Sequence, residues 1–112
     1  MIFHITTRAE WEAGLRAGEY TAPSLQTEGF IQLSQRHQVA GVANAAYRGV
    51  PNLVLLSVDP ERVAAPLRYE EGVHAHERFP HLYGPLELSA VSDVLPFPEG
   101  PVSYTHLTLP TN

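Results

Sequence analysis

The chain of 112 residues contains neither cysteine nor lysine. Without cysteine there can be no disulfide, no thiolate metal ligand and no thiol nucleophile. Without lysine, Schiff-base chemistry on a side-chain amine is excluded. The seven basic residues are all arginines, and twelve acidic residues bring the formal net charge to −5. Because an acidic chain repels a phosphate backbone on average, broad binding to nucleic acid is not expected.

Long hydrophobic runs are also missing, so the sequence predicts no membrane span and no membrane partner. The first residues lack the basic and apolar regions of a signal peptide, and we therefore expect a cytoplasmic protein. With 44% hydrophobic residues, the composition is that of an ordinary globular domain. A chain of this length forms one core, so we predict a single domain over residues 1–100. The oligomeric state is left open.

Residues 101–112 differ from the rest of the chain because they carry no charged side chain and show neither a helical nor a strand period. Threonine recurs there, and the amino-acid sequence of residues 103–110 resembles translated adapter sequence. We interpret this tail as a non-native appendage and leave it out of the fold prediction. The alternative is a native tail that folds over the sheet.

Two short segments, residues 3–6 and 30–34, alternate strictly between apolar and other side chains. In a β-strand, alternation sends neighbouring side chains to opposite faces. If the two strands lie near each other, their apolar faces join one core and their other faces form the wall of a cleft. The side chains expected on that wall are His4, Thr6, Phe30, Gln32 and Ser34. The alternatives are that His4 and Thr6 face water and that Phe30 lies under a helix.

The remaining pattern predicts an α+β domain. Thr7 and Glu10 form a capping box that starts a helix ending near Gly18. A second helix follows Ser34 as its N-cap and ends by Gly49. Further strands are expected at residues 53–58, which should be buried on both faces, at 67–70 and at about 91–97. The prediction is five or six short strands in a bent sheet, with two helices on one side.

The segment of residues 79–86 is rich in proline and glycine and reads as a stiff loop, the kind of element on which function often resides. His81 and Tyr83 stand two apart in it and therefore share a face. The alternative is a structural loop in which the Tyr83 hydroxyl tethers the backbone. His74 and His76, with Glu77 nearby, suggest a metal site, but they lie in an unpatterned loop without a separate second set of ligands, so no metal is expected.

The order of these motifs resembles a bacterial family of unknown function, DUF952, over about residues 2–97. The resemblance is carried by His4-x-Thr6, Trp11, the Gly-Phe-Ile-Gln-Leu-Ser segment at 29–34 and the Phe-Pro-His-Leu-Tyr-Gly-Pro-Leu segment at 79–86. The family is thought to share the fold of ADP-ribosyltransferases, a split and bent sheet around an NAD cleft. The opening strand and helix also resemble those of RNA 2′-phosphotransferases. The resemblance implies NAD or a related nucleotide as the ligand, with ADP-ribosyl or phosphate transfer as the reaction.

The resemblance also implies roles for single residues. His4 and Thr6 would hold the nicotinamide-ribose side of NAD, with Gln32 and Ser34 on the facing strand. The other residues expected in the cleft are Phe30 and Tyr83 for binding and Glu70 and His81 for catalysis. Glu70 would polarise a ribose hydroxyl and stabilise oxocarbenium character. Its alternative is an exposed carboxylate paired with Arg68.

One position departs from the family pattern, because Gln32 stands where a histidine is usual. An amide donates and accepts hydrogen bonds but cannot exchange protons near neutrality. Whether the domain is catalytic is therefore left open. The rival hypothesis is a non-catalytic binding or regulatory module that retains the fold, and a third is a metal-dependent hydrolase.

Overall fold

The computed structural model describes residues 1–72 and 76–97, together with Leu109. The strands are β1 (Ile2–Thr7), β2 (Glu19–Tyr20), β3 (Ile31–Gln32), β4 (Leu53–Val58), β5 (Leu67–Glu71), β6 (Arg78–Leu82), β7 (Leu86–Glu87) and β8 (Val91–Pro96). The helices are α1 (Arg8–Ala17), α2 (Pro23–Thr27) and α3 (Val39–Ala46), with 3₁₀ turns at Arg36–Gln38, Pro60–Arg62 and Leu88–Ala90. The α+β class is confirmed, but the described residues contain more strands and one more helix than the sequence predicts.

The strands form three small antiparallel sheets, ordered β1-β4-β8, β2-β7 and β3-β6-β5. The first and third sheets meet where Phe3 and Ser34 pair through their backbones. The Phe3 N–H donates to the Ser34 carbonyl at 2.8 Å, and the Ser34 N–H donates to the Phe3 carbonyl at 2.7 Å. This junction places β1 beside the end of β3, as the cleft hypothesis requires.

Strand β1 separates two hydrophobic clusters. Ile31 and Leu33 pack in the cluster of Ile2 and not with Phe3 and Ile5, so the expectation that the apolar faces of both segments join one core is wrong. Phe3 and Ile5 pack into one cluster with α3, whereas Ile2 packs into the other with Trp11. All six residues of β4 are buried, in agreement with the prediction of a strand covered on both faces. Leu109, the one described residue of the tail, is half-buried against the cluster that contains Phe3. The rest of residues 101–112 lies outside the described part of the chain.

Helix α1 follows its sequence signals closely. The Thr7 hydroxyl accepts from the Glu10 N–H at 3.2 Å, and Gly18 ends the helix with a left-handed φ of 87°. Gly14 allows a close approach, because a Cβ there would lie 3.1 Å from Cα of Tyr20 on β2. Trp11 is buried on this helix, whereas Leu15, four residues later, is 50% exposed.

Two elements differ from the sequence prediction. Ser34 does not cap a helix, because its backbone pairs with Phe3 and the 3₁₀ turn that leads into α3 begins only after Gln35. The segment expected as a loop around Pro80 is instead β6, the central strand of its sheet. Proline lacks an N–H, yet its carbonyl still accepts from the Leu33 N–H at 2.8 Å. Among the described residues, no helix is long and apolar enough to cross a membrane.

Candidate functional site

A cavity of about 370 Å³ lies between β1, α1, β2, α2, β3 and α3. We call it the β1–β3 cavity. Its size is at the lower end of the range typical of small-molecule sites. Its polar lining residues are His4, Thr6, Glu10, Tyr20, Ser24, Glu28, Gln32, Ser34 and Tyr47. The structure therefore brings four of the residues singled out from the sequence to one partly open cavity, with His4 and Thr6 on β1, Gln32 on β3 and Ser34 just after β3.

His4 is held by hydrogen bonds to both nitrogens of its ring. Nδ1 lies 2.9 Å from the carbonyl oxygen of Gln32, and Nε2 lies 2.9 Å from the hydroxyl of Tyr20. His4 is only 7% exposed, so the alternative that it faces water is wrong. Burial lowers the pKa of His4 to about 4, which makes the ring neutral near pH 7. Because a carbonyl can only accept, the neutral ring carries its hydrogen on Nδ1.

The Tyr20 hydroxyl extends this contact into a chain. Its oxygen is 2.9 Å from Oγ1 of Thr6, which in turn lies 3.4 Å from Oε1 of Glu10. Thr6 is buried, like His4, and burial raises the pKa of Tyr20. Sequence reasoning missed Tyr20, because a tyrosine in a two-residue strand produces no periodic signal. These side chains lie in consecutive contact along one wall of the cavity.

The opposite wall has polar groups that are not used within the protein. Among the described residues, neither the Gln32 side-chain amide nor the Ser34 hydroxyl has a hydrogen-bond partner. Ser34 is only 4% exposed, and both side chains line the β1–β3 cavity. Gln32 is half-buried, and the polar atoms of both side chains remain accessible from the cavity. An amide and a hydroxyl can each donate and accept, which suits a polar ligand.

The charge at the cavity is negative. Glu10 from α1 and Glu28 from the end of α2 both line it, whereas no arginine does so within the described part of the chain. Tyr47 adds an aromatic ring, and its hydroxyl donates to the Ile5 carbonyl at 3.4 Å. Burial also raises the pKa of Tyr47.

The other four residues singled out from the sequence form a separate group, Phe30, Glu70, His81 and Tyr83, which we call the carboxylate cluster. Nδ1 of His81 lies 3.0 Å from Oε1 of Glu70, and the Tyr83 hydroxyl donates to the same oxygen. The ring of Phe30 stacks on His81 with centroids 4.0 Å apart. None of the four lines the β1–β3 cavity. The structure therefore divides the expected cleft residues into two groups.

The carboxylate cluster bears on two alternatives raised from the sequence, and the Glu70 side chain is 37% exposed, in keeping with one of them. Glu70 is engaged by Tyr83 and His81, and these hydrogen bonds lower its pKa, that from Tyr83 most strongly. The Tyr83 hydroxyl binds that carboxylate instead of backbone, while Arg68 lies over the Tyr83 ring at 5.2 Å. His81 is 3% exposed, and its Nε2 has no hydrogen-bond partner among the described residues.

The loop considered for a metal lies partly outside the described residues, which do not include His74. His76 is exposed, and Glu77 pairs with His37 at 3.5 Å. Within residues 1–72 and 76–97, no group of three or more metal-ligating side chains is found.

A second cavity, of about 420 Å³, adjoins the first and shares Gln32, Val42 and Ala46 with it. Its lining includes Phe79, Gly41 and Ala45 and is less polar. Gln32 therefore stands between the two spaces, and its backbone pairs with His81 of the carboxylate cluster across β3 and β6.

Fold and cavity together define a small α+β domain with a partly open site that is lined by polar side chains. The chain belongs to the DUF952 family, described as proteins of unknown function, which matches residues 5–94. It is 38% identical to protein CC0527 from Caulobacter crescentus; the crystal structure superposes with a TM-score of 0.77, over 85% of this chain and 83% of that one. The solution NMR structure of CC0527 gives a TM-score of 0.71 over 83% and 80% of the two chains. No curated protein matches this chain.

Proposed function

We propose that the domain binds a small molecule of the nucleoside class in the β1–β3 cavity, with NAD as the leading ligand and its nicotinamide-ribose half inside. As an ADP-ribosyltransferase-like domain, it would then support ADP-ribosyl or phosphate transfer. The observation that carries the proposal is that the side chains of Gln32 and Ser34, which have no hydrogen-bond partner among the described residues, face a partly open polar cavity.

The pair matters because a ligand can form hydrogen bonds to both side chains without first breaking one within the protein, and each such bond contributes about 0.5–1.5 kcal/mol. A ligand in the cavity would reach the half-buried Gln32 and Ser34, a residue that is only 4% exposed. Ribose hydroxyls and a carboxamide match an amide and a hydroxyl in both donor and acceptor capacity.

Shape and surroundings support the same class of ligand. A nucleoside is of a size that a cavity of about 370 Å³ can enclose. Tyr47 supplies an aromatic ring at the cavity, and the adjoining second cavity offers a less polar space containing Phe79. A dinucleotide would cross Gln32 to occupy both.

The catalytic assignments from the sequence remain proposals. Glu70 and His81 lie outside the β1–β3 cavity, so a reacting ligand would have to extend past Gln32 to meet them. Glu10 lines the cavity itself and offers a negative charge where an oxocarbenium-like centre would form.

A non-catalytic binding or regulatory module is the second candidate. It is favoured by Gln32, which cannot exchange a proton near neutrality, and by His4, whose two ring nitrogens are already engaged. Both candidates use the same cavity and differ only in turnover.

The test is calorimetry of the full chain with NAD, ADP-ribose and 2′-phosphorylated RNA. We expect NAD to bind in the micromolar-to-millimolar range; no heat with any of the three would contradict the proposal. His4→Ala then separates the two candidates, with the exposed His76→Ala as a control. Turnover in the native chain that disappears in a folded His4→Ala variant supports an enzyme. Binding without turnover in the native chain supports the module.

A further inference from the structure

We infer that the β1–β3 cavity itself takes a cationic nucleoside in preference to the corresponding phosphorylated nucleotide, so that the phosphates of NAD would have to lie outside this cavity. This inference rests on the proposed function and specifies its ligand. The ligand chemistry is a ribose that carries a positively charged aromatic ring, as in nicotinamide riboside.

The first reason is the charge of the cavity wall. The half-buried Glu10 on α1 and the exposed Glu28 just after α2 contribute two carboxylates, and no arginine lines the space within the described part of the chain. Two of the arginines are engaged elsewhere, with Arg36 over the Phe3 ring and Arg68 over the Tyr83 ring. Nothing described at this cavity therefore offsets the charge of a phosphate.

The second reason is the nature of the groups left free. The Ser34 hydroxyl is buried, lines the cavity and has no partner among the described residues, and the Gln32 amide beside it is likewise unused. Both are neutral dipoles, which recognise hydroxyls and amides without supplying a compensating charge. They point to a ligand rich in neutral polar groups.

The third reason is that Glu10 is held in place. Its Oε1 accepts from the Thr7 hydroxyl at 3.1 Å and lies 3.4 Å from the Thr6 hydroxyl, so the carboxylate is not free to swing away from an approaching anion. In a partly enclosed site, a fixed charge acts through a lower effective dielectric than in water. The same carboxylate attracts a pyridinium ring and repels a phosphate.

The experiment compares nicotinamide riboside with nicotinamide mononucleotide, which differs by one 5′-phosphate, by calorimetry on the full chain. We expect the riboside to bind at least about tenfold more tightly, the scale of one modest charge interaction in a partly enclosed site. Glu10→Gln should weaken riboside binding and narrow the preference. The matched control is Glu12→Gln, because Glu12 is exposed on the same helix and does not line the cavity. It should change neither the affinity for the riboside nor the preference over the mononucleotide.

Equal affinities, or tighter binding of the mononucleotide, would overturn the inference while leaving the proposed function standing. A preference that survives unchanged in both Glu10→Gln and Glu28→Gln would also overturn it. If neither compound binds and NAD and ADP-ribose also fail, the proposed function itself is wrong.

Discussion

The β1–β3 cavity and the carboxylate cluster share the Gln32–His81 strand pair, yet they use their polar groups in opposite ways. At the cavity, the side chains of Gln32 and Ser34 have no hydrogen-bond partner within the described part of the chain. In the cluster, one carboxylate oxygen of Glu70 accepts from both His81 and Tyr83, and none of its members lines that space. The first arrangement suits binding, whereas the second fastens β5 to β6.

The largest expected difference between the two regions is in their response to pH. Burial lowers the pKa of His4 from 6.5 to about 4, so between these values the unfolded chain binds a proton that the folded chain does not. The contribution of His4 to the free energy of unfolding is therefore full above pH 6.5 and is lost as the pH falls to about 4. At 1.36 kcal/mol per unit of pKa, the loss is about 3 kcal/mol.

Urea unfolding of the native chain and of His4→Gln across this pH range measures that effect. The difference in unfolding free energy between the two chains should shrink as the pH falls from 7 to 4. A difference that stays constant over this range would contradict the lowered pKa of His4. Glu70 behaves differently. Its pKa is lowered from 4.5, so its contribution is lost only as the pH falls below that value.

Replacing His81 by alanine should give the next largest effect. The change removes the stack on Phe30 and the hydrogen bond to Glu70 and leaves a hole, so we expect a loss of about 2–3 kcal/mol in unfolding free energy. Binding to the β1–β3 cavity should persist in the folded variant. Exposed His37→Ala serves as the control, and loss of binding only in His81→Ala would show that the two regions act as one site.

Tyr20→Phe should have a smaller effect, which is confined to the cavity. The lost hydroxyl contacts both His4 and Thr6 at 2.9 Å, so we expect a loss of about 1–2 kcal/mol and weaker ligand binding. Tyr47→Phe is the matched control, because its hydroxyl makes one longer contact at 3.4 Å. Denaturant unfolding compares the two, and equal losses would argue against the chain from His4 to Thr6.

The smallest effect is expected for Glu70→Gln. Glutamine keeps the shape of the side chain and an oxygen to accept from Tyr83, and the site is 37% exposed, so stability at pH 7 should fall only slightly. Ligand affinity at the cavity should be unchanged. A marked loss of affinity on calorimetry would place Glu70 in the binding site after all.

Local signals in the sequence predicted much of the first half of the molecule. Alternation placed His4 and Thr6 opposite Phe3, and the Thr7 cap and Gly18 set the ends of α1. Both features depend on residues that are close together in the sequence. Strand alternation and helix-capping residues are therefore enough to predict them.

The remaining features depend on pairing between distant segments. Because of Pro80, the sequence of β6 is interpreted as a loop, although β6 is the central strand of its sheet. Tyr20 reaches His4 only because Gly14 lets β2 approach α1 closely. The carboxylate cluster lies apart from the cavity because β6 and β5 pair on one side of β3 while β1 meets the end of β3. Pairing between strands so far apart in the sequence leaves no local pattern.

Chemical-shift mapping on the isotope-labelled full chain, titrated with nicotinamide riboside, tests the central claim most directly. The account predicts that the amides of His4, Gln32 and Ser34 shift with increasing ligand, while those of Glu70 and His81 do not. Shifts centred on Glu70 and His81, or no shifts at saturating concentration, would contradict it.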